Sequence, residues 1–524
     1  MISRSKEIAT SFFICAVLFL IVLSFGHPVY HSDDDVYVLY LLGGGFGQAP
    51  TNLLHYNSVV HPFLGKIIVL LFEQLPKLNW YSAILYLFHF IACCSLLISF
   101  EASKKNNLLI FLLLFSVFEA QLLMMPTFSN TALVLAMTGI ILLLSECEKS
   151  QPKKQNIIIA ISFICSSALF RVHTIIPLLL TSSPIFVVHF FKRKFLLVFS
   201  MIICGVVILL LGILQKQYYN SEIPNWKTEE AYRQAVFSYY NNPEKKDPEK
   251  FKTEVAFLNN GLLWDKEFLS PQKINEIKIQ NTVTASLSRT TLYWLLINNR
   301  IYFVVVLFMF CLVILKGNRK TLMLNISCLV VLLCLLTTLI LFKKLPEYLV
   351  VCSTFFYALV SSQFVTENEK LFLNKSAKTI LFILIAAIFI WSGERFQKTS
   401  AINKEMNEGF ICAWKEINEH PDKLFIATDD HFPIDYFSVW HLPREFPFKN
   451  LLDKEQLLNN TYQSIYKRFS ITGPNDFINN NKVVLVGKKI TQIESYYNEV
   501  WKMNVHFTIK DSTFNCLEAR SLTY

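Results

Sequence analysis

Eleven apolar stretches, near residues 8–26, 80–100, 107–125, 128–145, 156–170, 174–191, 195–215, 301–316, 321–342, 347–365 and 378–393, punctuate this chain. Most approach or exceed the roughly 20 residues needed to cross a bilayer core. Hydrocarbon offers no partners to backbone N–H and C=O groups, so such stretches cross as helices. Only 17% of the 524 residues are charged and mean hydropathy is +0.40, too little charge for a water-soluble surface of this size. The sequence predicts a polytopic α-helical membrane protein with about eleven transmembrane helices.

Basic residues orient those helices. Arg4 and Lys6, Lys104 and Lys105, Lys149 with Lys153 and Lys154, 192–194, Lys316 with Arg319 and Lys320, and Lys370 with Lys375 and Lys378 fall in every second connection. The N-terminus is therefore expected in the cytoplasm. The first apolar stretch reads as a retained span, because 24–28 (Ser-Phe-Gly-His-Pro) lacks a small-x-small cleavage pattern. Residues 156–191 are apolar except around Arg171-Val172-His173 and basic on both flanks. One helix of that length would run about 54 Å against a core of about 30 Å, so two short spans reversing at Arg171 are expected. Residues 57–75, broken by Pro62 and Lys66, predict a helix lying in the interface.

An odd number of spans puts the C-terminus outside. The membrane domain is expected over 1–393, with outer loops at 27–79 and 216–300, and residues 394–524 as a small extracytoplasmic α/β domain. There Leu424–Thr428 and Val483–Val486 read as strands, and 397–420, 453–469 and 491–503 as helices. Ten of the 12 Cys lie in or beside apolar segments; Cys412 and Cys516 alone lie in the soluble part, which allows one disulfide there. The net charge of +10 sits in short loops between spans and is no sign of nucleic-acid binding.

The chemistry is expected just beyond the first span. Residues 27–62 contain no Lys or Arg, yet Asp33, Asp34 and Asp35 are adjacent. A helix N-terminus capped by Ser32 would use one acid, not three. Mutual repulsion raises a carboxylate's proton affinity toward working pH, which suits a base; the same cluster could hold a divalent cation. Gly43-Gly44-Gly45-Phe46-Gly47 follows without the Lys-Ser/Thr of a phosphate loop, and suggests a hinge or close backbone approach. His31, His55, Tyr56, His61 and Tyr348 are further groups at the outer mouth that could contact substrate. Arg171, His173, Lys343 and Lys344 sit at two other outer reversals, where they could bind either membrane-lipid phosphates or the phosphate of a lipid-linked donor.

This pattern resembles the GT-C superfamily of integral-membrane glycosyltransferases. Asp33-Asp34-Asp35-Val36-Tyr37 is similar to the acid pair and Tyr after the first span of protein mannosyltransferases and aminoarabinose transferases. Phe170-Arg171-Val172-His173 resembles the outer-end Arg of a later span, and 343–348 (Lys-Lys-Leu-Pro-Glu-Tyr) a basic-Pro-Arg-Tyr element in which Glu347 replaces Arg. Among bacterial members the chain looks nearest to O-antigen glucosyltransferase-like membrane proteins. The resemblance implies an inverting transferase of the inner membrane that uses a polyprenyl-phosphate sugar and a glycan, lipid or protein acceptor outside, with no required cofactor. Asp33 or Asp34 would be the base, and Arg171, His173, Lys343 and Lys344 would hold the donor phosphate. Two alternatives remain: an O-polysaccharide polymerase, which would rely on basic outer loops, and a lipid-linked-sugar flippase, which would bury ionisable residues within its spans.

Overall fold

The computed structural model describes residues 2–54, 59–100, 105–149, 151–191, 195–240, 250–259, 266, 268–279, 297–316, 318–342, 346–366, 375–427, 433–453, 462–473, 476–487, 490–507, 514, 516–517 and 519–523. Among them the membrane part is helical throughout. It begins with α1 (Ile2–Phe25), α2 (Asp33–Gly43), α3 (Pro62–Gln74) and α4 (Trp80–Ser99). Next come α5 (Lys105–Leu114), a π-helical turn (Phe115–Glu119), α6 (Ala120–Met124), α7 (Phe128–Glu148) and α8 (Lys154–Phe170). After a short 3-10 turn (Val172–Thr174) follow α9 (Ile175–Phe191), α10 (Phe195–Glu222) and the short helices α11 (Trp226–Tyr240), α12 (Lys252–Asn259) and α13 (Pro271–Ile279). The bundle closes with α14 (Arg300–Lys316), α15 (Arg319–Phe342), α16 (Glu347–Thr366) and α17 (Lys375–Glu419).

Nine helices among the described residues are long and apolar enough to cross a membrane, and Lys154–Phe170 and Arg300–Leu315 are shorter apolar helices. These correspond to the eleven apolar stretches of the sequence, with the expected reversal at Arg171. α3 is not among the nine. It packs Leu64, Ile68 and Phe72 inward and exposes Phe63, Ile67 and Leu70, as a helix does when it lies between protein and lipid. α7 and α16 form the centre, their apolar windows each 89% buried, whereas those of α1, α10 and α15 are 17–22% buried and face lipid.

One difference from the sequence reading is continuity. The stretches 378–393 and 397–420 are a single helix, α17, of 45 residues, which carries the chain from the bundle into the C-terminal lobe. That lobe holds a five-stranded sheet of order β2-β1-β3-β5-β4, with β1 (Leu424–Ala427), β2 (Leu451–Asp453), β3 (Val483–Val486), β4 (His506–Phe507) and β5 (Ala519–Thr523). β1 is parallel to β2 and β3, and β5 antiparallel to β3 and β4. β1 and β3 are buried along their whole length, as the unbroken apolar runs require. Cys412 on α17 is disulfide-bonded to Cys516, tying the helix to the chain just before β5.

The lobe is fastened to the first loop of the bundle. Tyr30 N–H donates to Phe437 O, His31 N–H to Asp435 O, and Val439 N–H to Pro28 O. Asn79 Nδ2 donates to the carbonyls of both Val439 and His441, at 3.0 Å each. Stacked and edge-on rings of Tyr40, Phe46, Phe437 and Phe448 fill the seam.

Candidate active site

Ser32 has extended backbone angles and the chain becomes helical at Asp33, so three carboxylates occupy the first turn of α2, where the helix dipole favours negative charge. Successive helical side chains diverge by about 100°. Asp34 is exposed and Asp33 half-buried, while Asp35 is sealed. Asp33 Oδ1 accepts the Asp34 N–H at 2.9 Å. At its other end α2 stops because Gly44 takes a left-handed conformation, φ +83°, and a side chain on Gly45 would run into the Tyr40 ring. Close backbone approach is thus what the glycine run provides.

Asp35 Oδ1 accepts two hydrogen bonds, from the Tyr81 hydroxyl at 2.6 Å and the Phe128 backbone N–H at 2.8 Å. Oδ2 makes no hydrogen bond of ordinary geometry, although the Ser32 hydroxyl is near enough to favour its charge slightly. Burial dominates and pushes the Asp35 carboxyl well above the usual range; the Tyr81, Phe128 and Ser32 donors oppose that rise, and the charge of Asp34 adds to it.

Phe128 opens α7, with Thr127 as cap accepting the Asn130 N–H at 3.0 Å. The next residue, Ser129, accepts a hydrogen bond from Arg171 Nη1 at 2.5 Å, and the same nitrogen reaches the Tyr348 hydroxyl at 3.2 Å. The guanidinium lies over the rings of Phe128 and Tyr348, 5.5 and 5.8 Å from their centres. The first turn of α7 therefore holds the acid through its backbone and the cation through its side chains. Among the described residues no salt bridge engages Arg171, whose side chain bonds the neutral hydroxyls of Ser129 and Tyr348.

The backbone beside both groups is strained. Arg171 pairs with Val59 as an isolated bridge, flanked by Val60 N–H to Phe170 O and His61 N–H to Leu169 O. Val60 has φ +36° and His31 φ +54°. Left-handed backbone costs a non-glycine residue about 1–2 kcal/mol, more for a β-branched one, and persists only where the surroundings impose it.

These elements enclose a cavity of about 440 Å³ lined by His31, Asp33, Asp34, Asp35, Arg171 and Tyr348, with Ser129, Tyr302, Glu347 and Asp435. Both central helices, α7 and α16, begin at it, α16 with the Glu347 carboxylate in its first turn. An anion next to Arg171 would meet a cation, two helix N-termini and the hydroxyls of Ser129 and Tyr348.

Two other expected site residues, His173 and His61, lie elsewhere. His173, in the 3-10 turn after Arg171, is exposed and does not line the cavity. His61 caps α3: its Nδ1 accepts the Phe63 N–H and its Nε2 donates to Leu211 O, both at 3.2 Å, and burial lowers its pKa. His55, Tyr56, Lys343 and Lys344 lie outside the described residues. Among the described residues no group of three or more His, Cys, Asp or Glu is arranged to hold a metal. Asp33, Asp34 and Asp35 diverge, and Asp35 is turned to Tyr81 and Phe128, so the triplet does not form a ligand set. Tyr81, Ser129, Tyr302 and Asp435 were not legible as site residues. Three lie within or beside apolar runs without a motif, and Asp435 arrives from the C-terminal lobe.

No protein-family model matches the sequence, and no curated protein matches it. Among solved structures, ArnT from Cupriavidus metallidurans bound to undecaprenyl phosphate aligns over 99% of this chain and 98% of its own, with TM-score 0.52 and 9% sequence identity. ArnT in the apo state aligns over the same shares with TM-score 0.42 and 10% identity. The chain has the GT-C fold. The likeness covers bundle and C-terminal lobe alike.

Proposed function

We propose that this protein is a GT-C glycosyltransferase that moves a sugar from a polyprenyl-phosphate donor to an envelope glycan, lipid or protein acceptor, with inversion at the anomeric carbon. The single observation that carries this reading is the shared cavity, where an acidic helix turn and Arg171, which has no carboxylate partner among the described residues, meet at the end of the bundle that joins the C-terminal lobe. The ArnT structure holds undecaprenyl phosphate on the same fold, which supports the donor class.

In this reaction the acceptor hydroxyl oxygen attacks the anomeric carbon, and its proton passes to Asp33 or Asp34, the two carboxylates of the acidic turn that open to the cavity. The bond from the anomeric carbon to the phosphate oxygen breaks with its electron pair on the departing phosphate. Arg171, Ser129, Tyr348 and the N-termini of α7 and α16 stabilise the growing phosphate charge, a role that the sequence resemblance also gives to Lys343 and Lys344. Asp35 anchors the acidic turn to α7. The cavity faces the extracytoplasmic side of the cell's inner membrane, in keeping with the basic loops and with a disulfide in the C-terminal lobe.

The test is turnover by purified protein in nanodiscs, supplied with a panel of polyprenyl-phosphate sugars and envelope acceptors, with and without a chelator. Release of free polyprenyl phosphate coupled to a glycosylated acceptor is expected, and it should survive chelation. Donor movement across the bilayer without bond cleavage would point instead to a flippase.

A further inference from the structure

Deep in the bundle lies an ionisable pair that the transfer mechanism does not use. His89 on α4 and Glu119 at the end of the π turn are both buried, with His89 Nδ1 2.7 Å from Glu119 Oε1. His89 Nε2 is 3.1 Å from Thr131 Oγ1 on α7. The Thr131 hydroxyl itself donates to Thr127 O at 2.9 Å, so its oxygen faces His89 as an acceptor and Nε2 carries a proton. The Nδ1–Oε1 contact shares one further proton, which leaves the pair neutral overall. The π turn widens the helix by one residue, with Ala120 N–H donating to Phe115 O, and Ser392 on α17 donates to the Ser116 carbonyl at 2.6 Å.

Stability alone gives little reason for such a pair. A buried ion pair is commonly matched or bettered by apolar residues of similar volume, and ionisable groups within a bilayer usually mark function. What the pair does geometrically is join α4 to α7. Those two helices supply the two donors to Asp35 Oδ1: Tyr81 lies about 12 Å up α4 from His89, and Phe128 opens α7 one turn before Thr131. The same first turn of α7 carries Ser129, the partner of Arg171.

We infer that the Glu119–His89–Thr131 link is a positioning device for the active site, setting α4 against α7 so that Asp35 and Arg171 are held in register. The inference rests on the transferase reading for its effect on rate. Its effect on Asp35 does not depend on that reading. The titratable and charged groups facing Asp35 are Asp34 on its own helix, Tyr30 and Tyr81; His31, Asp33, Arg171, Glu347 and Asp435 share its cavity. Around Glu119 they are His89, Cys15, Cys93 and Cys352.

The experiment compares wild type, His89→Leu with Glu119→Leu together, Thr131→Val and Glu119→Gln in nanodiscs. It reads thermal midpoint, donor KM and kcat, and the infrared titration of the Asp35 carboxyl, assigned with Asp35→Asn. The apolar pair is expected to keep its thermal midpoint within a few degrees and donor KM within about twofold, while kcat falls roughly 10- to 100-fold. Its Asp35 titration should move up by roughly one unit as the Phe128 N–H is displaced. Thr131→Val should show the same signature should the apolar pair fail to fold. Glu119→Gln, whose amide can donate to Nδ1, should stay within about threefold of wild type. Undiminished kcat in the folded apolar pair or Thr131→Val, or an Asp35 titration that does not move, overturns the inference. If wild type transfers no sugar, the transferase reading fails, and the Asp35 titration still decides this one.

Discussion

Asp35 Oδ1 and the backbone N–H of Phe128 meet at 2.8 Å, joining the acidic turn of α2 to the turn of α7 whose Ser129 receives Arg171. Acid and cation are 136 residues apart in the chain, yet one helix N-terminus holds both. That relationship sets the expected behaviour of the site.

Removing the base should stop transfer without emptying the site. Asp33→Asn and Asp34→Asn keep the shape of the helix turn, and the variant that removes the base is expected to lose about 10²–10⁴ in kcat. Donor KM should change little, because neither carboxylate holds the phosphate. Steady-state kinetics on folded single variants check this, and wild-type rates in both would remove the acids from the mechanism.

Arg171 should act on both binding and bond cleavage. Arg171→Gln is expected to lower kcat about 10²–10³-fold and to raise donor KM as well, since the guanidinium attracts the phosphate before and during departure. Arg171→Lys should recover part of the loss: it restores the charge but not the planar guanidinium whose Nη1 reaches both Ser129 and Tyr348. A change in KM alone, with kcat untouched, would assign Arg171 to headgroup binding.

Asp35 makes stability depend on pH. Burial raises its folded pKa, so between the unfolded value, near 3.9, and the folded one the native state binds more protons than the unfolded state. Stability from this group is complete below the unfolded pKa and is lost as pH rises through the folded one. Asp35→Asn removes the titration. Its thermal midpoint relative to wild type should therefore climb with pH from about 4 upward, then level off once Asp35 is ionised. A difference that is flat with pH would show an ordinary carboxyl.

Orientation has its own test. A reporter fused after Lys398, within the long α17, should be active only on the extracytoplasmic side, and a maleimide that cannot cross the membrane should label Asp34→Cys in intact spheroplasts. A cytoplasmic reporter at Lys398 would invert the whole arrangement.

Much of the architecture was legible because the bilayer imposes length and polarity on every span. The reversal at Arg171, the interfacial α3 and the strands at 424 and 483 all follow from local pattern. The boundary at 393 did not, since nothing local marks that a span runs on as a soluble helix; α17 continues because its far half packs Phe410, Ala413 and Ile417 into the lobe. In the site, Asp33–Asp35, Arg171 and Tyr348 stood out as charge or polarity against an apolar background. Tyr81, Ser129 and Asp435 carry no such contrast, and only packing brings them to the cavity. His61 and His173 show the converse: a titratable side chain near the mouth, used at a helix cap or left exposed.

The most direct measurement is an experimental structure of the protein in nanodiscs with polyprenyl phosphate bound. The phosphate is expected against the Arg171 guanidinium, between the N-termini of α7 and α16, with Asp33 and Asp34 across the cavity and the lipid chain leaving into the bilayer. A phosphate seated away from this cavity, with Arg171 still bound only to Ser129 and Tyr348, would contradict the assignment.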